Sequence, residues 1–154
     1  NLDVEALESV LMKLRAWAGL DANGSREDRL AVTSDELRSL PADGMIDIGA
    51  HTINHPALST LSPECQKREI LESKSALEMI LERPVETFAY PFGERHDYTR
   101  QTTSIVKDAG FSCACSNFTG QVTLWSDPYQ LPRFVVRDWD GDTFARHLRE
   151  WFRG

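Results

Sequence analysis

The amino-acid sequence predicts an α/β fold in which short strands alternate with helices. Apolar residues recur at three- and four-residue spacing in helix-length segments, short apolar runs between them have strand composition, and Pro and Gly mark the boundaries. Strands that alternate with helices of this length favour a parallel sheet or barrel built from βα units. Residues 1–154 contain no internal repeat, so we expect a single domain, with the polar segment 19–32 as the one weak candidate for a boundary.

The first part of the chain predicts two helices and a loop. Apolar residues within 7–18 lie on one helical face, which predicts an amphipathic helix. Residues 19–32 are polar and rich in turn-forming residues, which indicates a surface loop. Thr33 and Glu36 have the spacing of a capping box, so a second, short helix is expected to follow.

The rest of the chain continues as strands and helices in alternation. Ser62 followed by Pro63 predicts a helix start, because the missing N–H of proline costs nothing in the first turn. The elements expected after residue 44 are a buried strand at 45–48, a helix at 62–81, a strand at 85–90, a helix at 98–109, strands at 111–115 and 131–137, and a helix at 144–152.

Composition argues against two classes of partner. Asp and Glu number 24 against 17 Lys and Arg, a net charge of -7, and broad nucleic-acid contact requires the opposite balance. No apolar run approaches the roughly 20 residues of a membrane-spanning helix. Cys113 and Cys115 would share one face of a strand and cannot easily pair, so free thiols are favoured. The cysteines therefore leave the compartment open between cytoplasm and cell envelope.

Two histidines four residues apart form the first candidate site. A strand precedes His51, and Pro56 disfavours a helix at His55, so the pair is expected on a strand-end loop, where βα folds place their sites. Neutral imidazoles on such a loop can bind one divalent metal, and they equally fit histidines that are hydrogen-bonded within a loop. Asp47 either orients an imidazole or is a solvated or capping carboxylate.

The second candidate is the aromatic segment Phe88–Gly93. An aromatic strand end closed by Pro and Gly is rigid and allows close approach to its backbone. Such a surface suits the apolar faces of sugar rings. The alternative is an ordinary buried strand and turn.

These two segments resemble consecutive motifs of the polysaccharide deacetylases, the chitooligosaccharide deacetylase (NodB-like) homology domain. Gly49-Ala50-His51-Thr52 with His55-Pro56 resembles the second motif of that family. Phe88-Ala89-Tyr90-Pro91-Phe92-Gly93 resembles its third motif, in the variant of exopolysaccharide and poly-N-acetylglucosamine deacetylases. Residues 109–111 and 127–133 agree with the same subgroup, so the resemblance runs from about Val32 to Phe152.

The resemblance implies a distorted (β/α) barrel and a hydrolase of non-peptide C–N bonds. The reaction it implies is metal-dependent removal of the acetyl group from an N-acetylated glycan. His51 and His55 would bind the divalent metal, with zinc the first candidate, and the backbone N–H of Phe92 would stabilise the oxyanion.

The resemblance also implies the substrate contacts. Tyr90 and Pro91 would line the substrate cleft. Arg133 would supply the charge that many relatives carry at the position of Ala89, although a structural or solvent-exposed arginine fits equally well.

The chain departs from the family pattern at the catalytic acid and base. Nothing before Thr33 resembles the first motif, which supplies the paired aspartates, so we expect the first strands to lie upstream and residues 1–154 to be a C-terminal portion. His96 and His147 are weak candidates for the late catalytic acid, and His147 is predicted on the surface of the last helix. Two alternatives follow: a non-catalytic carbohydrate-binding or scaffold module, and a hydrolase of a small non-peptide amide.

Overall fold

The structure, a computed structural model, describes residues 4–19, 31–41 and 44–152. The chain forms two compact units, residues 1–39 and 40–154. Within the described ranges the elements are, in chain order, α1 (Val4–Trp17), α2 (Ser34–Ser39), α3 (Pro63–Leu81), β1 (Thr87–Ala89), α4 (Arg100–Asp108), β2 (Cys113–Cys115) and α5 (Gly141–Trp151), with a short 3-10 helix at Leu58–Thr60. The predicted helices are confirmed, and their boundaries agree with the observed ones to within a few residues.

The first unit contains α1 and α2, and its clearest feature is the capping box of α2. The backbone N–H and the hydroxyl of Thr33 donate to Glu36 Oε2 at 2.8 and 2.7 Å. The N–H of Glu36 donates in return to Thr33 Oγ1 at 3.3 Å. These hydrogen bonds hold the pKa of the Glu36 carboxyl below its ordinary value. The greater part of the predicted loop at 19–32 lies outside the described residues.

The second unit is built around a small parallel sheet. β1 pairs with β2 in a register that sets Phe88 opposite Ala114. Ala50 extends the sheet through a parallel bridge to Phe88, and Leu131 extends it on the other side through a parallel bridge to Cys115. Parallel pairing confirms the α/β class, and it brings the carboxyl ends of these segments to one edge.

Two predicted strands are wrong in extent. The segment at 45–48 was expected to be a buried strand, but Met45 is 84% exposed and pairing begins only at Ala50. Of the segment 131–137, only Leu131 forms a bridge. Pro132 has no N–H to donate, so the ladder ends there.

The core lies between the sheet and helices α3 and α4. Phe88 stands at its centre, with its ring centroid 5.3 Å from those of Tyr90 and Phe111. Ile70 of α3 and Val106 of α4 are fully buried in the same cluster. Burial of these side chains stabilises the unit through the apolar area removed from water.

The start of α3 gives a testable consequence. The Ser62 hydroxyl accepts the N–H of Cys65 at 3.3 Å as the N-cap. We expect Ser62→Ala to lower the free energy of unfolding by about 1 kcal/mol, measured by denaturant titration. The matched control Ser75→Ala, on the exposed face of the same helix, should raise it by up to about 0.5 kcal/mol. A loss of equal size in both variants would contradict the capping role.

Candidate active site

The candidate site lies where three parallel backbone segments end together. Ala50, β1 and β2 are hydrogen-bonded side by side, with the Ala50 N–H donating to Thr87 O at 2.9 Å and the Tyr90 N–H donating to Cys115 O at 3.1 Å. The residues that follow these segments, beginning at His51 and Tyr90, therefore come together at one edge of the sheet. This edge is where βα folds place ligands.

His51 is held in one orientation by the backbone. Its Nδ1 lies 2.7 Å from the carbonyl oxygen of Ala89. A carbonyl can only accept, so Nδ1 carries the proton and the lone pair is on Nε2. A hydrogen bond of this kind is the usual partner of a metal-binding histidine, because it fixes both tautomer and ring direction.

His55 lies against His51 and against Phe92. Its ring centroid is 4.8 Å from each of those two rings, with edge-on geometry in both cases. His55 is exposed, and neither ring nitrogen is hydrogen-bonded within the described part of the chain. Two imidazoles this close can present nitrogens to a single ion.

Backbone strain is concentrated at this edge. Thr52, His55 and Phe92 have φ of +64°, +54° and +60°, the left-handed region that non-glycine residues rarely adopt. The N–H of His55 donates to Thr52 Oγ1 at 3.1 Å, which closes the turn between the two histidines. Strain of this kind persists only where the surrounding structure holds it, and it is concentrated at functional sites.

Phe92 adopts the left-handed conformation just beyond the end of β1, and it carries a backbone N–H. Among the described residues, no acceptor binds that N–H, whereas Tyr90 and Gly93 both donate to backbone carbonyls. The Phe92 ring is 55% exposed. An unpaired donor on a residue whose ring packs against His55 can bind a developing negative charge on oxygen.

Tyr90 and Pro91, which were predicted to line the substrate cleft, are both buried. Tyr90 is 1% exposed, its ring stacks on Tyr98 at 4.0 Å, and its hydroxyl donates to Tyr129 O at 2.9 Å. Burial raises the pKa of the Tyr90 phenol far above its ordinary value, so the group stays neutral. Pro91 is also fully buried. Both side chains pack beneath the edge at which His51 lies.

Arg133 does reach the same edge of the sheet. Its Nε donates to the carbonyl oxygen of Ser116 at 2.5 Å, one residue beyond β2. Its backbone N–H donates to Phe118 O at 3.1 Å. Part of the guanidinium is therefore committed to the backbone.

The remaining ionisable candidates contact residues other than His51 and His55. Asp47 forms an exposed ion pair with Arg83 at 3.0 Å, which agrees with the solvated alternative. His96 is exposed and lies 3.6 Å from Asp97. His147 lies on α5 with its side chain 29% exposed, and its ring stacks on that of Trp139 with the centroids 4.2 Å apart.

The described residues contain neither a cluster of three metal-ligating side chains nor a membrane-spanning helix. Within them, no three His, Cys, Asp or Glu side chains gather as a metal-binding group. Over the same residues, no helix has the length and apolar character needed to cross a bilayer. Cys65, Cys113 and Cys115 are free thiols.

Sequence comparison identifies the family. The profile described as polysaccharide deacetylase matches residues 6–114, more than half of the chain. The chain belongs to the polysaccharide deacetylase family. A curated deacetylase relative is YxkH of Bacillus subtilis (strain 168), whose name places it among the polysaccharide deacetylases. It is 24% identical over 118 residues, which are 76% of this chain and 41% of the relative.

Solved deacetylase structures share the α/β fold. The Streptococcus pyogenes deacetylase PplD, in complex with acetate, matches with a TM-score of 0.68 and 21% identity over 78% of this chain and 52% of that one. IcaB from Ammonifex degensii matches with a TM-score of 0.65 and 17% identity over 97% and 69%. The chain therefore spans about two fifths of YxkH and about half of PplD.

The Thr52 hydroxyl provides a test of how the histidine turn is held. Thr52→Val keeps the side-chain shape but removes the acceptor of the His55 N–H, so we expect the free energy of unfolding to fall by about 0.5–1.5 kcal/mol. Thr52→Ser keeps the hydroxyl and should stay within about 0.5 kcal/mol of the natural chain. Denaturant titration checks both, and equal losses would show that the hydroxyl does not hold the turn.

Proposed function

We propose that this deacetylase-family chain contributes to metal-dependent hydrolysis of the N-acetyl amide of an N-acetylated polysaccharide or sugar. The observation that carries the proposal is the histidine pair at the carboxyl edge of the sheet, with the Nε2 lone pair of His51 left open by the hydrogen bond to Ala89. The family match and the acetate bound in the related PplD structure support a hydrolysis that releases acetate.

A divalent metal, with zinc the first candidate, fits the donors of this pair. His51 and His55 would hold it, because neutral imidazole nitrogens suit zinc and the His51 ring already has an outer-sphere partner. When bound, such a metal supplies a Lewis acid that polarises an amide carbonyl and lowers the pKa of water. The two histidines form part of a ligand set, since no third protein ligand joins them within the described residues.

The chain's own residues act on the amide by position and by hydrogen bonding. The free N–H of Phe92 would donate to the carbonyl oxygen as negative charge develops there in the transition state. The exposed Phe92 ring, next to His55, offers the apolar face that the sequence led us to expect from Tyr90. Arg133 would contribute positive charge at the same edge through the nitrogens that do not bind Ser116.

A distorted (β/α) barrel is the architecture we propose for the domain. Parallel pairing of Ala50, β1 and β2, with α3 and α4 packed beside them, supports it. TM-scores above 0.6 to PplD and IcaB support the same architecture.

Zinc binding tests the metal assignment directly. We expect calorimetry to show that the chain binds zinc. Loss of an outer-sphere partner weakens metal binding by about 10–100-fold, and we expect His51→Ala/His55→Ala to weaken it by more than that. His96→Ala and Asp47→Asn are matched controls, and each should leave the affinity unchanged. Zinc binding that survives the double substitution would move the metal to other residues.

Acetate release tests the reaction and the role assigned to Phe92. Loaded with zinc, the full-length protein should release acetate from N-acetylglucosamine oligosaccharides, measured with a coupled assay. Phe92→Gly keeps the N–H and adopts positive φ without strain, so activity should stay within about tenfold, whereas loss of an oxyanion donor costs about 10²–10³.

Three other results would redirect the proposal. A loss of about 10²–10³ in Phe92→Gly would mean that the ring is needed rather than the N–H. Glycan binding that is independent of zinc and gives no acetate would favour a carbohydrate-binding or scaffold module. Activity confined to small amides would replace the glycan as substrate.

A further inference from the structure

A buried carboxylate stands behind the turn that joins the two histidines. Glu69 lies on α3 next to Ile70, at a position that faces the core, and it is only 6% exposed. Burying a charge is costly unless it is fully hydrogen-bonded or paired. No Lys or Arg forms an ion pair with Glu69 among residues 4–19, 31–41 and 44–152.

The partners of Glu69 all belong to the turn between the histidines. Its Oε2 accepts the backbone N–H groups of Ile53 and Asn54 at 3.0 and 2.9 Å. Its Oε1 accepts the side-chain amide of Asn54 at 2.7 Å. Consecutive backbone N–H groups in a turn form a concave anion-binding surface, and here a side chain of the same chain fills it. The negative charge is thus offset by N–H dipoles of the turn.

These contacts fall between two left-handed residues. Thr52 precedes the bound N–H groups with φ of +64°, and His55 follows them with φ of +54°. The remaining hydrogen bond of the turn, from the His55 N–H to Thr52 Oγ1, joins the two strained residues only to each other. Glu69 ties the strained turn to the core-facing side of α3, a helix of 19 residues.

We propose that Glu69 is a positioning residue, which fixes the turn at residues 52–55 and thereby the spacing of the His51 and His55 rings. The inference deepens the proposed function and rests on it, because the spacing matters if one metal binds both rings. His51 is fixed separately, through Ala89, so Glu69 acts chiefly on His55. The two anchors come from different parts of the chain, a strand end and a helix.

Zinc affinity of matched variants tests the proposal. Glu69→Ala removes all three hydrogen bonds, and we expect zinc affinity to fall by about 10–100-fold with both histidines intact. Glu69→Gln keeps one oxygen for the backbone N–H groups and should lose less. Glu72→Gln makes the same charge change on the exposed side of α3 and should match the natural chain. Unchanged affinity in a folded Glu69→Ala variant would overturn the proposal, and so would a loss in Glu69→Gln that exceeds the loss in Glu69→Ala.

A metal-free measurement separates this inference from the proposed function. In the metal-free Glu69→Ala chain, NMR should show loss of the cross-peaks between the His51 and His55 rings and faster exchange of the Ile53 and Asn54 amides, and Glu69→Gln should show smaller changes of the same kind. The amides of α3 itself should keep their protection. If the natural chain fails to bind zinc, the metal assignment fails, and these signals still decide the role of Glu69. Ring cross-peaks and amide exchange that stay unchanged would refute it.

Discussion

Backbone hydrogen bonding on both sides of β1 is the interaction on which the rest of the second unit depends. This three-residue strand pairs with Ala50 on one side and with β2 on the other. The same pairing buries Phe88 at the centre of the core, and it leaves the Ala89 carbonyl free to orient His51. A strand this short is stable only because its central side chain is packed and both edges are bonded. Fold and site therefore share one set of hydrogen bonds.

Helices were predictable because their signals are local. The capping box of Thr33 and Glu36 and the N-cap at Ser62 depend on residues three apart, and both form as expected. Strands depend on partners distant in the chain. The apolar composition at 45–48 carried no information on whether a neighbour would pair with it, and pairing starts only at Ala50.

Site residues were predictable where a sequence motif contained them, and less so where side-chain packing decides which residues are exposed. His51 and His55 stood out by spacing and by the following proline, and they lie side by side. Tyr90 and Phe92 were indistinguishable by composition, since an aromatic strand end reads the same whether its rings are buried or open. Glu69 was missed because it lies on α3, well beyond His55 in the sequence, and no local spacing connects the two residues. One signal was present: a charged residue at a core-facing position of α3, next to Ile70.

The hydrogen bond between His51 and Ala89 has a consequence for how such a site can diverge. Ala89 and Phe92 belong to one continuous segment. The position of the His51 ring, which is bound to Ala89, and that of the Phe92 N–H therefore depend on the same short stretch of backbone. Because β1 holds Ala89 in place, inserting or deleting one residue between positions 89 and 92 would move the Phe92 N–H relative to the His51 ring. The number of residues between positions 89 and 92 is therefore constrained, because it sets the distance between the His51 ring and the Phe92 N–H.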